Sequence, residues 1–334
     1  MNIRTKILTV AALLAVWSCA EKEITPTAPD GSKPIEFGSL STRALVTDII
    51  QVKEFGVSCA ISNADNSDYG SIMDNVKVER SNKSTTGWDY NPKRYWLEDS
   101  YFYFVASYPF VDGGGFQPYY ESGNFIGYFL NVDTSAQDDI LIDSEYVNTS
   151  DSWSNTVNFQ FRHLLTNVNF IISKEDSNQN HYEVTKVSLQ GVSTKGNYIA
   201  IPNMGAIGMG WDSIESGSYE KDIKNGILKE KETLTIWDTE EGGLLVIPEL
   251  GSTSSVKLVI DYKYQLYVSN DGTNTEQPEV ENKQVAVNVP TSMWESGKKI
   301  VYNLTITDPN RIKFTRVDVE KWGNAQAGGT IIIK

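Results

Sequence analysis

The chain has 334 residues, with 29 Lys and Arg against 43 Asp and Glu and a formal net charge of −14. An acidic balance without a basic run argues against a nucleic-acid partner, because phosphate binding needs a basic face. Aromatics make up 11 % of the residues, including 17 Tyr and 8 Trp, enough to build real cores. With two His and two Cys in all, a His/Cys zinc site is close to excluded and most nucleophile–base constellations lack their parts. No catalytic residue, metal or cofactor is expected.

In chain order, residues 1–18 read as a signal peptide. Arg4 and Lys6 give a positive start, and residues 7–17 form an apolar run too short to span a bilayer as a helix. Ser18 then precedes Cys19. The junction Val16-Trp17-Ser18-Cys19 is similar to a bacterial lipobox, with a bulky Trp17 where a small residue is usual. The expected chemistry is diacylglycerol addition to the Cys19 thiol, cleavage before it and acylation of the new amine. Several acyl chains anchor stably where one does not. Lipid on Cys19 leaves Cys59 without an intrachain disulfide partner. The following Ala20-Glu21-Lys22-Glu23 is similar to the acidic export tag of surface-exposed Bacteroidetes lipoproteins.

Residues 19–34 hold Pro26, Pro29 and Pro34 with Thr25, Thr27 and Gly31 and almost nothing apolar, a solvated tether. Its last 15 residues reach roughly 50 Å when extended, so the folded body can stand off a membrane.

Beyond residue 34 the chain carries period-2 runs in place of helical ones. In residues 255–266, Val256, Leu258, Ile260, Tyr262, Tyr264 and Leu266 share one face, opposite Lys257, Asp261, Lys263 and Gln265. Residues 301–307 and 155–162 alternate in the same way, as half-buried antiparallel strands do. Ile312 and Phe314 are out of phase with Val317 and Val319, which predicts a bulge near Thr315-Arg316. Residues 101–106 are continuously apolar and predict a central strand buried on both faces. Glycine turns at 113–115, 242–243 and 328–329, with Asn270-Asp271-Gly272, punctuate these runs. The whole predicts an all-β fold of β-sandwiches. The polar cluster at 148–155 divides it into an N-terminal domain, 35–153, and a C-terminal domain, 154–334.

An ordered set of segments resembles the fimbrillin family of Bacteroides and Porphyromonas, the Mfa-like type V pilins. Pro34-Ile35-Glu36-Phe37 followed by Ser41-Thr42-Arg43-Ala44 is similar to the family's entry sequence. Residues 161–170, from Phe161-Arg162-His163 to Val168-Asn169-Phe170, resemble its Phe-x-His-x-Leu-Ala-Lys-Val strand, with Asn167 where Lys is common. Leu244-Leu245-Val246-Ile247-Pro248, Trp294-Glu295-Ser296-Gly297-Lys298 and the closing Val319-Glu320-Lys321-Trp322 also match.

The resemblance implies two transthyretin-like Greek-key sandwiches in tandem and a non-enzymatic, structural or adhesive role in surface fimbriae. It also implies a mechanism. The subunit travels as an outer-membrane lipoprotein, and a trypsin-like protease cuts between Arg43 and Ala44. The freed segment, residues 35–43 with Ile35, Phe37 and Leu40 as apolar anchors, gives way to a strand from another subunit. The implied donor strand is C-terminal, carrying Ile331, Ile332 and Ile333; the same residues could instead form the last strand of their own sandwich. Implied partners are other fimbrial subunits, the processing protease, the outer membrane through lipid, and a host protein or glycan.

Cys59 lies in an apolar strand and reads as a buried small hydrophobe. His163, among strand residues, reads as a core or domain-interface histidine, and His181 as solvated. Asp65–Gly70 and 270–272 have the flavour of calcium loops without the spacing, and read as turns. Asp212-Ser213-Ile214 fits the three-residue acceptor of Bacteroidetes O-glycoproteins, making Ser213 a candidate O-glycosylation site. Trp88, Tyr90, Tyr95, Trp96, Tyr119, Tyr120 and Tyr128 crowd the N-terminal domain. Exposed, they would stack on sugars or host peptide and suit a surface glycan-binding or host-binding lipoprotein that does not polymerise; buried, they fill a core.

Overall fold

The computed structural model describes residues 33–42, 52–63, 69–84, 86–150, 153–175, 179–203, 205–237, 239, 242–249, 256–267, 278–322 and 329–331. Within them the regular structure is strand, apart from one 3-10 turn at Thr134–Ala136. The chain begins with β1 (Glu36–Phe37), β2 (Ser41–Thr42), β3 (Glu54–Asn63), β4 (Tyr69–Arg80), β5 (Trp88–Tyr90), β6 (Ser100–Tyr108) and β7 (Phe116–Glu121). It continues through β8 (Asn124–Asp133), β9 (Leu141–Asn148), β10 (Thr156–Val157), β11 (Gln160–His163), β12 (Thr166–Lys174), β13 (His181–Asn203) and β14 (Ala206–Ile227). It closes with β15 (Leu234–Thr235), β16 (Leu244–Val246), β17 (Lys257–Gln265), β18 (Glu281–Asn288), β19 (Lys298–Asp308), β20 (Arg311–Lys321) and β21 (Gly329–Ile331).

One sheet has the order β2-β11-β9-β6-β3-β4-β5. Strand β6 runs through its middle, between β9 and β3, as its continuous apolar run predicts. Its side chains serve two cores: Phe102, Phe104 and Ala106 face one, Tyr103 and Val105 the other. A strand with apolar material on both faces has no need of polar alternation. The first core is closed by the two-stranded ribbon of β1 and β10 and by Trp88, Tyr90 and Trp96. The second lies against β7, β8 and the end of β13, where Phe116, Tyr128, Leu130, Tyr198 and Ala200 meet Tyr103 and Val105.

A third core fills the C-terminal half, between the sheet β15-β12-β19-β20-β21, with β16 also on β12, and a sheet of β17, β18 and the start of β13. Here Val256, Leu258, Ile260, Tyr262 and Tyr264 are buried on one face of β17, while Leu266 is exposed beyond its end. The predicted bulge is present. Asn303 pairs with Arg316 and Leu304 with Phe314, so Thr315 is left over and the two phases of β20 are reconciled.

The halves share a sheet. Strands β13 and β14 form a hairpin paired from Glu183–Ile227 to Asn203–Ala206. Along its other edge, β13 pairs with β17 over residues 181–190 and with β8 over residues 195–200. Gly191 takes φ +71° at the changeover, a conformation that suits a residue without Cβ.

Residues 156–163, grouped with the C-terminal half on composition, pair with β1, β2 and β9, and Val157, Phe159 and Phe161 complete the first core. An alternating run is blind to which sandwich receives it. Leu164 and Leu165, which follow, are both fully buried in the second core.

Candidate functional site

Residues 33–42 form an extended segment, carrying β1 and β2, that touches two parts of the N-terminal half at once. At its start it runs antiparallel to residues 94–96. The Ile35 N–H donates to the Arg94 carbonyl at 2.9 Å, and the Trp96 N–H donates to the Lys33 carbonyl at 3.0 Å. From Glu36 on it changes neighbours and runs parallel to residues 155–161. The N–H groups of Glu36, Gly38 and Ser41 donate to the carbonyls of Asn155 (3.1 Å), Val157 (2.9 Å) and Phe159 (3.0 Å). The Trp96 indole N–H also reaches the Asn155 carbonyl at 3.2 Å, linking the two walls.

Period 2 turns Ile35 and Phe37 inward, where they are 0 % and 1 % exposed. Leu40 is half-buried against the same core. The Phe37 ring sits in an aromatic box. It stacks on Phe159 at 5.9 Å and meets Tyr90 (5.3 Å), Phe55 (6.2 Å) and Phe104 (6.4 Å) edge-on. The Tyr90 hydroxyl donates to the Ile35 carbonyl at 3.0 Å and accepts the Arg94 N–H at 3.1 Å. Burial pushes the Tyr90 phenol up to about 12, so it stays a donor across the neutral range. Fully burying the two side chains Ile35 and Phe37 is worth roughly 3–6 kcal/mol, and the N–H groups of Ile35, Glu36, Gly38 and Ser41 are paired as well.

The walls of this seat, Tyr90, Arg94, Trp96 and residues 155–159, carry no mark in the sequence that assigns them to it. Only Ile35, Phe37 and Leu40 are marked, by their own periodicity. Of the other positions singled out, Cys19, Arg43, Ala44, Ile332 and Ile333 lie outside the described residues, as do residues 64–68 and 270–272. The backbone of Ile331 pairs with Val317 and that of Gly329 with Val319, so β21 extends its own sheet at the edge beyond β20.

The clustered aromatics do not make an exposed platform. Trp88, Tyr90, Trp96 and Tyr128 are buried, and Tyr95 is half-buried; Tyr119 and Tyr120 on β7 are the ones exposed. Sequence proximity had grouped residues that the fold sends to opposite faces. Cys59 is buried in the first core, where burial raises its thiol well above the usual range. His163 sits at the junction of the halves, its Nδ1 2.8 Å from Asp139 Oδ2. His181 is exposed at the start of β13. Ser213 is exposed on β14 with φ +53°, its hydroxyl donating to Asp212 at 3.1 Å. Among the described residues no three His, Cys, Asp or Glu side chains come together as metal ligands.

These features define an all-β protein of packed sheets in which a segment from the start of the folded body completes one core. The chain belongs to the fimbrillin-like family, whose profile matches residues 42–322. It is 24 % identical over 367 aligned positions to the fimbrium subunit Fim1C of Phocaeicola vulgatus, covering 95 % of this chain and 96 % of that protein. In fold it is similar to a crystal structure of a fimbrial protein from Bacteroides vulgatus, with a TM-score of 0.56 and 19 % identity, covering 87 % of this chain and all of the other.

Proposed function

We propose that this chain is a structural subunit of a cell-surface fimbrium, made as an outer-membrane precursor with lipid on Cys19 and assembled by strand exchange. A trypsin-like protease cuts between Arg43 and Ala44. The segment ahead of the cut then leaves its seat, and a strand of another subunit takes its place. The role is non-enzymatic, and the partners are other fimbrial subunits.

The observation that supports this most is the double seating of residues 33–42, paired with residues 94–96 on one side and 155–159 on the other, with Phe37 in an aromatic box. Such a segment completes a core yet is joined to the body only through the stretch that contains Arg43. While attached, it pays no association entropy and outcompetes any free strand; once cut, it must compete on contacts alone. Membership of the fimbrillin-like family and likeness to a fimbrium subunit agree with this role.

Limited trypsin treatment of the purified precursor tests the reading. Cleavage after Arg43, read by mass spectrometry, should be followed by oligomers that survive mild detergent. A precursor that resists cutting there, or stays monomeric once cut, overturns it. Cys19→Ser should abolish acyl labelling in cells; continued labelling removes the anchor.

A further inference from the structure

The outer face of the sheet made by β14, β13, β8 and β7 is hollowed by missing side chains. Pairing sets Asp212, Asn197 and Asn131 in one row across β14, β13 and β8, and Gly210, Ile199 and Phe129 in the next. Period 2 sends Tyr198, Ala200, Tyr128 and Leu130 inward to the second core, so both rows face outward. Where a Cβ on Gly210 would stand there is nothing within 4 Å, and a Cβ on Gly127 would overlap the Ala200 carbonyl. The result is a groove of about 480 Å³, within the range of ligand-binding clefts. Tyr119 on β7, 46 % exposed, lines one side, and Asp212 and Ser213 on β14 line the other. We propose that this groove binds a neutral saccharide.

The polar row is short of partners. The Asn131 amide N–H donates to Asn197 Oδ1 at 3.1 Å, which leaves the Asn197 amide nitrogen to donate in turn. Asp212 accepts the Ser213 hydroxyl at 3.1 Å. Lys195, two residues before Asn197, is engaged by Asp133 at 2.9 Å, and Asp212 has no ion-pair partner among the described residues. A bulge brings Ser213 to the rim. Asn197 pairs with Asp212 and Lys195 with Glu215, so Ser213 and Ile214 together oppose Gly196, and Ser213 takes φ +53°.

A pyranose carries an apolar C–H face and a ring of hydroxyls. The first matches the Tyr119 ring and the aliphatic floor of Ile199 and Ile201, since weakly positive C–H bonds are drawn to the face of an aromatic ring. The second matches a carboxylate that accepts from neighbouring hydroxyls, beside an amide that donates. Other ligands fit less well. Strand β8 and residues 197–200 of β13 are paired along both edges, so an extended peptide finds no free backbone groups here. An anionic sugar meets the Asp212 carboxylate on a chain of net charge −14. Binding here does not depend on whether residues 33–42 are displaced.

The test titrates the purified precursor, shown by intact mass to carry no sugar on Ser213, with lactose, maltose, cellobiose and 3′-sialyllactose. Amide shifts are read by NMR. At least one neutral disaccharide should bind with a Kd of about 1 mM or tighter, moving the amides of Tyr119, Phe129, Asn197 and Ile199. Sialyllactose should bind more weakly than the best of them. Tyr119→Ala and Asp212→Asn should each weaken binding at least about tenfold. Tyr120→Ala should leave it unchanged, because that ring packs on Phe125 and does not line the groove. All three positions are exposed, so the melting temperature should stay the same in every variant. No shift at these amides from any neutral disaccharide overturns the proposal, as does binding that survives both groove substitutions. Tighter binding of sialyllactose refutes the neutral class.

Discussion

The imidazole of His163 lies flat on the indole of Trp322, ring centroids 4.0 Å apart and planes tilted by 15°. His163 ends β11 in the seven-stranded sheet, and Trp322 follows β20 in the C-terminal sheet. Asp139 fixes the imidazole through Nδ1 at 2.8 Å, and the Trp322 N–H donates to the Gly297 carbonyl at 2.8 Å. Two strand ends are thereby pinned to each other by a pair of rings.

Trp322→Ala should therefore lower stability by about 3–5 kcal/mol, the usual range for losing a buried large aromatic. Urea unfolding of the purified protein measures it. A double-mutant cycle with His163→Ala should show coupling of about 0.5–1.5 kcal/mol. Strict additivity would mean that the stack contributes nothing of its own.

Phe37→Ala should open the seat without unfolding the rest. At roughly 3–5 kcal/mol for the lost ring, the Gly38 and Ser41 amides should exchange with deuterium at least about a hundredfold faster. Amides in β19 should hold their rate, because the third core does not touch Phe37. Equal acceleration in both places would show that the segment is part of one cooperative unit.

Tyr90 couples the same seat to alkaline pH. Its folded-state value is raised from 10.0 to about 12, so between these values the unfolded chain has lost the proton and the folded one keeps it. The contribution is whole below pH 10 and is lost as pH rises through about 12. Tyr90→Phe should flatten the fall in melting temperature over that interval. At neutral pH it should cost about 1 kcal/mol for the bond to the Ile35 carbonyl. An unchanged alkaline profile would place the sensitivity elsewhere.

Asp133 acts at the other end of the scale. The hydrogen bond from Lys195, then that from the Ser135 N–H, lower it from 3.8 to about 2. Its contribution is present above pH 4 and is lost as pH falls toward 2. The carboxylate is well exposed, so screening keeps the effect to a fraction of a kcal/mol. Asp133→Asn should make the acid limb of the stability profile slightly shallower, and 1 M salt should erase the difference. A steeper limb in the variant reverses the sign and refutes the assignment.

How far the fold could be read beforehand depended on whether each strand announced its own surroundings. The central strand β6 did, because both its faces are buried and its residues are all apolar. So did the bulge at Thr315, because a slip of phase shows in the pattern whatever the partner. The hairpin partner β14 did not. Its glycines and charges, from Ala206 to Ile227, follow an edge that is mostly exposed, and such a strand is held by backbone pairing that side chains do not reveal. The seat was legible from one side only. Ile35 and Phe37 alternate as a strand should, but the choice of residues 94–96 and 155–159 as neighbours is a matter of closure over some sixty and a hundred and twenty residues, which local pattern does not encode.

The 23 residues of β13 run from the zone held by β17 to the zone held by β8, with β14 alongside from Glu183 to Asn203. A subunit pulled from its two ends would carry the load lengthwise along this strand. Its ladder bonds, lying across the pull, would then be sheared together instead of unzipped one at a time. Tensile strength would thus reside in a hairpin whose one strand, β13, is rooted in two cores while the other, β14, lies mostly in solvent.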